Sequence, residues 1–321
     1  MTQHVDIHPL VSPWGRFGLY SFFIDAPEPA IVDTGIASSP AEGMAPALEA
    51  LGRRIEDVRW ILLTHGHIDH LGGAYALWEL TGRRAKVVIH EADAAMLRSR
   101  RAHVDEYLTG RAQYLHDPDG EAKQTAAGNA VISGEMEPTL LVNGGETLSL
   151  GGDVTVSVHA IPGHTPGAVA YVVDGQNDVF VGDAVQVHGA ANGFPGFEDP
   201  VGYRASLEYL RDEIRPQHLY LGHPYRRADG TPYGVELDAD EVREALQESL
   251  DLEARISDAA NRYLQDGVQQ TDSVYSPFAR VADELGYDKD PTLEPSPFFT
   301  TLHGYATQFA QKTRNEEGAT R

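Results

Sequence analysis

Short apolar runs of β character recur along this chain, and each stops at a turn that carries a polar, metal-binding type of side chain. Val58-Arg59-Trp60-Ile61-Leu62-Leu63 leads directly into Thr64-His65-Gly66-His67-Ile68-Asp69-His70-Leu71-Gly72-Gly73. Val154 to Ile161 alternates apolar and polar, then breaks at Pro162-Gly163-His164-Thr165-Pro166-Gly167, where Gly and Pro force a turn around one histidine. Asp178-Val179-Phe180-Val181 ends in Gly182-Asp183, and Leu219-Tyr220-Leu221 ends in Gly222-His223. The pattern predicts buried strands that each hold such a side chain just past their end.

The remaining periodicity predicts an α/β chain. Residues 4 to 34 read as three short strands broken at Ser12-Pro13-Trp14-Gly15 and Ala26-Pro27-Glu28-Pro29. Met44, Leu48 and Leu51 lie at helical spacing within residues 40–52, a second helix is expected over 71–80, a strand over 87–90 and a helix over 91–101. Between Arg101 and Val142 the strand punctuation is lost, which marks an insert. Residues 144–152 read as turn, short strand and turn. The stretch 184–197 is too apolar and glycine-rich for solvent filler and reads as a pocket wall. His188 is its candidate proton donor, and Phe194 and Phe197 are its apolar surface. Leu207, Leu210 and Ile214 predict an amphipathic helix over 203–214, and Tyr225 follows His223 closely enough to face the same site. After Gly234, Asp238 is an expected N-cap with Glu241 three residues on. Val242, Leu246, Leu250, Leu252, Ile256 and Ala260 form a helical stripe running to about Gln265. Further helices are expected over 274–285 and 298–311, with Pro291, Pro295 and Pro297 between them.

The chemistry concentrates in the first turn, which packs three histidines and an aspartate into positions 65 to 70. Imidazole nitrogens and a carboxylate oxygen suit zinc, iron or manganese alike, and zinc is the ion expected. His164, Asp183 and His223 add further donors at the other strand ends. The chain has no cysteine, which excludes thiol catalysis and thiolate ligation, and no Gly-x-Ser-x-Gly elbow for a serine nucleophile.

In these residues the chain resembles the metallo-β-lactamase superfamily, whose pattern His-x-His-x-Asp-His, then His, then Asp, then His is matched in order over about residues 4 to 225. The resemblance implies an αββα four-layer sandwich and two divalent metal ions. One metal would be held by His65, His67 and His164, the other by Asp69, His70 and His223, with Asp183 bridging and Asp33 supporting the site from behind. Inserts at this place in the family often border the substrate cleft, which makes Tyr107 and Tyr114 candidate lining residues; packing of the insert onto the sandwich is the competing role. Two such cations share and acidify one water, and leave a hydroxide to attack a carbonyl, with Asp69 and Asp183 as catalytic carboxylates. An aspartate at position 183 and an uninterrupted first motif resemble the glyoxalase-II-like and lactonase-like branch. The expected activity is therefore hydrolysis of a thioester, lactone or carboxylic ester. An iron-dependent oxidoreductase acting on a thiol or persulfide, a non-catalytic binding member and a small phosphoester as substrate are the alternatives.

Composition narrows the partners. The balance of 25 basic against 48 acidic residues gives a net charge of −23, a field that repels nucleic acid, and Arg98-Ser99-Arg100-Arg101 is too local to reverse it. A small-molecule substrate is expected. No apolar run approaches the roughly twenty residues of a membrane span, and the first residues lack the basic and apolar regions of a signal peptide, so a cytoplasmic protein is expected. The chain divides into a catalytic domain over 1–234, with the insert at about 101–142, and a C-terminal helical subdomain over 235–321 acting as lid or homodimer arm.

Overall fold

Strands β1 (Ile7–Trp14), β2 (Phe17–Ile24), β3 (Ala30–Val32), β4 (Trp60–Leu62), β5 (Lys86–His90) and β6 (Leu140–Val142) lie side by side in chain order in one sheet. The pairs β1–β2 and β2–β3 are antiparallel and the rest parallel. The second sheet takes β7 (Thr147–Ser149), β8 (Thr155–Ala160), β9 (Val169–Val173), β10 (Asp178–Gly182), β11 (His218–Leu221) and β12 (Glu236–Leu237), also in chain order. Only β10–β11 is parallel there. This computed structural model describes residues 4–15, 17–190, 193–292 and 296–319; expectations that touch Met1, Thr2, Gln3, Ala191, Asn192 and Pro295 lie outside the described residues.

The strand patterns explain the layering. Central strands β3, β4, β9 and β10 are buried at every position because both sheet faces are covered, whereas β8 alternates. Phe22, Trp60, Leu62 and Val88 from the first sheet meet Val156, Tyr171, Phe180 and Tyr220 from the second in one apolar layer. The Tyr171 hydroxyl crosses that layer to donate to the Leu63 carbonyl at 3.0 Å. Outside the first sheet lie α1 (Ala45–Ala50), α2 (Ile68–Leu71), α3 (Ala74–Leu80) and α4 (Ala94–Arg98), which bury Leu48, Leu71, Leu77 and Leu97 against it. The insert forms α5 (Arg100–Thr109) and α6 (Gly120–Val131). Outside the second sheet lie α7 (Pro200–Tyr209), α8 (Ala239–Asp266), α9 (Ala279–Leu285) and α10 (Phe298–Ala319). The αββα sandwich is the observed architecture.

Several boundaries differ from expectation for physical reasons. Ser12-Pro13-Trp14 does not break the chain but belongs to β1, an edge strand, where a missing N–H is tolerated. The helix expected over 71–80 is interrupted at Gly72 and Gly73. A Cβ on Gly72 would stand 2.6 Å from the Val131 carbonyl oxygen, and one on Gly73 2.8 Å from that of Ile36. The helix expected over 91–101 ends at Arg98, and Ser99 turns the chain by capping α5 through its hydroxyl, which accepts from Arg101 N. The helix expected over 274–285 is limited to α9. Asp238 caps α8 as expected, accepting from the backbone N–H groups of Asp240 and Glu241.

The boundary drawn after Gly234 does not separate two cores. Beyond it, β12 extends the second sheet, and Val242, Leu246, Leu250, Ile256, Phe298, Phe299 and Leu302 pack in one cluster with Val179, Val181, Leu219 and Leu221 of that sheet. The C-terminal helices are the fourth layer of the sandwich. No helix among the described residues is long and apolar enough to cross a membrane. Each of those large side chains is worth about 1.5–3 kcal/mol on burial, so the seven beyond Gly234 together match the roughly 5–15 kcal/mol by which a domain is stable. Truncation after Gly234 is therefore expected to give an insoluble or unfolded chain, read by solubility and near-ultraviolet circular dichroism.

Candidate metal centre

The site is built where strands end. The turn after β4 carries His65 and His67 and leads into α2, which carries Asp69 and His70; His164 follows β8, Asp183 follows β10 and His223 follows β11. The layering brings all seven to one place. Donor atoms of His65, His67 and His164 lie within 4.8 Å of one another, and so do those of Asp69, His70 and His223. His65, His70 and Asp183 form a third such group that overlaps both. Asp183 stands between the clusters: Oδ1 is 3.3 Å from His70 Nε2, while Oδ2 is 3.5 Å from His223 Nε2 and 3.8 Å from His164 Nε2.

The turn is held by buried carboxylates. Asp33, after β3 with φ 58°, accepts from Thr64 N at 2.8 Å, from Thr64 Oγ1 and from His70 Nδ1 at 2.8 Å. With its hydroxyl proton given to Asp33, Thr64 Oγ1 can accept from His65 Nδ1 at 3.0 Å. This fixes Nδ1–H on both His65 and His70 and turns both Nε2 lone pairs inward. Asp93 does the same for the backbone, accepting from Gly66 N, Gly167 N and Thr165 Oγ1 and so joining the first turn to the His164 turn. His164 Nδ1 donates to the Gly196 carbonyl at 2.7 Å, and the Gln186 amide ties Gly196 N to the Asp183 carbonyl.

The donor set fits divalent cations. His65 Nε2, His70 Nε2 and Asp183 Oδ1 are buried without a hydrogen-bond partner, an arrangement costing about 1–3 kcal/mol per group unless something else satisfies them. His67 Nδ1 faces His164 Nε2 at 2.9 Å, two imidazole nitrogens directed at one point. Gly222 leaves the space: a Cβ there would overlap Asp183 Oδ1 and lie 2.6 Å from His70 Cε1. His67, Asp69 and His223 are partly exposed, so the cluster opens to solvent on that side.

Charge is distributed unevenly. Burial lowers His65 well below its ordinary range, with His70 adding to the effect; burial and neighbouring His67 take His164 down to about 4. Burial opposes a charge on His70, yet Asp183, Asp69 and Asp33 outweigh it and raise His70 well above the usual value. Burial, then Asp183, raise the Tyr225 hydroxyl well above 10, and this buried hydroxyl makes no ordinary hydrogen bond.

The other expected residues are placed differently. His188 Nε2 is 3.2 Å from Glu248 of α8, and its ring lines a cavity of about 150 Å³ with Phe194, Arg255 and Tyr287 that none of the seven ligand candidates lines. Tyr114 stacks on Phe299 at 5.3 Å and bonds His303 Nδ1 at 2.8 Å, while Tyr107 packs at the start of α6, where a Cβ on Gly120 would stand 2.5 Å from its hydroxyl. Phe194 meets Tyr287 and Phe298, and Phe197 stacks on Tyr203. These aromatics pin the insert and the 184–197 loop to their neighbours. Sequence reasoning missed Asp93, Gln186, Glu106 and Glu198, none of which sits in the turn just after an apolar strand run as the seven candidates do. Glu106 Oε1 is 3.4 Å from His67 Nε2, and Glu198 bonds Glu106. Burial would raise both acids, but His67 holds Glu106 down to about 2, whereas burial and Glu106 push Glu198 up to about 8. Burial likewise opposes a charge on His67, and Glu106 prevails, raising it to about 9.

The fold and this centre define a metal-binding αββα protein. The metallo-β-lactamase superfamily model matches residues 15–223, and the chain belongs to that superfamily. It is 30% identical over 225 residues to a probable metallo-hydrolase of Mycobacterium tuberculosis, covering 67% of this chain and 62% of that protein. It is also 30% identical over 197 residues to a hydroxyacylglutathione hydrolase of Acidiphilium cryptum, covering 61% of this chain and 60% of the relative. The chain thus spans about three fifths of these curated relatives. The crystal structure of a metallo-β-lactamase family protein from Thermus thermophilus superposes with a TM-score of 0.66 over 96% of this chain and 94% of its own, at 21% identity.

Gly222→Ala is expected to lose bound metal while keeping native secondary structure, because the added methyl occupies the space between Asp183 and His70. Elemental analysis beside far-ultraviolet circular dichroism reads both.

Proposed function

We propose that this protein is a dinuclear metal-dependent hydrolase that opens an ester-like carbonyl, a thioester first and a lactone or carboxylic ester within the same chemistry. The carrying observation is Asp183, a buried carboxylate standing between two donor clusters, with Oδ2 3.8 Å from His164 Nε2 of one and 3.5 Å from His223 Nε2 of the other, and Oδ1 3.3 Å from His70 Nε2. His65, His67 and His164 would hold the first ion, and Asp69, His70 and His223 the second, zinc being the best match to this donor set. When bound, two such ions polarise a carbonyl oxygen and supply an activated water at neutral pH. The similarity to a hydroxyacylglutathione hydrolase supports the thioester as first choice.

The chain's own groups arrange the rest. Asp69 is the carboxylate most open to solvent in the cluster, and Oδ2 lies 3.1 Å from His223 Nε2, where it can orient an entering water. Asp33 keeps His70 and, through Thr64, His65 in one tautomer, so neither ring must reorganise during turnover. The Tyr225 hydroxyl stays protonated beside Asp183, from where it would donate to an oxygen on which negative charge develops.

Protein purified without chelator or affinity metal is expected to carry two zinc ions per chain by elemental analysis, and to hydrolyse members of a thioester, lactone and ester panel. A single iron with oxygen uptake on a thiol substrate would replace this reading by the oxidoreductase one. Tyr225→Phe should lower kcat by about 10²-fold with metal content unchanged, as loss of one oxyanion donor does; steady-state kinetics with metal analysis checks it. Asp183→Ala should lose occupancy at both positions together with activity, and full activity in that variant would remove the dinuclear model.

A further inference from the structure

One acidic pair lies outside the seven donors and comes from segments remote in sequence. Glu106 projects from α5 of the insert and Glu198 from the loop before α7, and their carboxyl oxygens lie within 4.8 Å of each other and of a His67 ring nitrogen. A third cation is not the natural occupant. His67 turns Nδ1 to His164 and the first donor cluster; with Nδ1 given to the first metal, its outer nitrogen carries the ring proton and has no lone pair to offer.

We propose that Glu106 is a positioning residue for the first metal: its carboxylate receives His67 Nε2–H and holds the ring so that Nδ1 stays aimed at the centre, with Glu198 bracing Glu106 from behind. The proposal rests on the metal-centre reading but concerns metal affinity, not turnover. His67 is the most exposed of the seven donors, at 29% of its side chain, and needs such a clamp more than buried His65 or His70. The brace is itself anchored. Glu198 N donates to the Gly163 carbonyl at 2.8 Å, next to His164, and α10 approaches so closely that a Cβ on Gly304 would overlap the Glu198 carbonyl. Insert, His164 turn and last helix therefore converge on one ring.

The test compares Glu106→Ala, Glu106→Gln and Glu106→Asp in the full chain, stripped of metal and titrated with zinc against a chromophoric chelator to obtain two dissociation constants. His223→Ala, which retains the first position, identifies which constant belongs to it. Glu106→Ala and Glu106→Asp, the latter withdrawn by one methylene, should weaken that constant by about 10–100-fold, the usual effect of losing such a partner. Glu106→Gln, which keeps an acceptor oxygen at the same reach, should stay close to the parent. Parent-like affinity in Ala and Asp would overturn the proposal, as would a Gln variant as weak as Ala. If Ala fails to fold, the Asp and Gln pair makes the same decision. Kinetics on the zinc-loaded parent stands apart: two zinc ions bound without hydrolysis of any panel member would count against the function proposed above and leave the clamp to be decided by the affinities.

Discussion

Everything at the centre depends on one buried carboxylate. Asp33 is 3% exposed and sits in the left-handed region at φ 58°, a conformation that a short polar side chain tolerates better than most. A charge so deeply buried is expensive unless fully bonded. Asp33 is bonded to the backbone N–H of Thr64, to the Thr64 hydroxyl and to His70 Nδ1. Those bonds join the ends of β3 and β4 and bring α2 back over them. They also settle which nitrogen of His65 and of His70 faces the cavity.

Around that constraint the layers act as a frame. The two sheets are locked by Phe22, Phe180 and Tyr220, which form a mutual aromatic cluster, and by the Tyr171 bond to Leu63. The Leu63 carbonyl stands next to Thr64, so inter-sheet packing sets the height of the metal turn. The second sheet carries His164, Asp183 and His223 to the same level only if its outer face is covered. That cover is α7 to α10, which is why the C-terminal helices are part of the layer system that holds the centre and not an arm attached to it.

The insert and the 184–199 segment meet the centre from outside. Their aromatic residues are used for packing: Tyr114 against Phe299, Phe194 against Phe298, Phe197 against Tyr203. Their backbone and acids reach the donors instead, through the Gly196 carbonyl at His164, Gln186 across to Asp183 and Glu106 at His67. Ligand orientation is thereby shared among segments that have no strand of their own at the site.

Local sequence alone determined the strands that end in turns, the seven candidate donors that the fold brings together, and the α/β class. Each of those is written within a few consecutive residues as an apolar run followed by Gly or Pro and a histidine or aspartate. Tertiary structure decided the rest. Whether Tyr107, Tyr114, Phe194 and Phe197 line a cleft or pin a loop depends on which surface packs against them, and an aromatic side chain reads the same in both cases. Asp93 acquires its part from partners 27 to 74 residues away, and Glu106 and Glu198 acquire theirs across separate segments, so no local period could reveal them. The C-terminal helices show their amphipathic stripe in the sequence, but its destination does not follow from periodicity. A helix stripe states that a face must be buried, and only the packed second sheet supplies the surface that buries it.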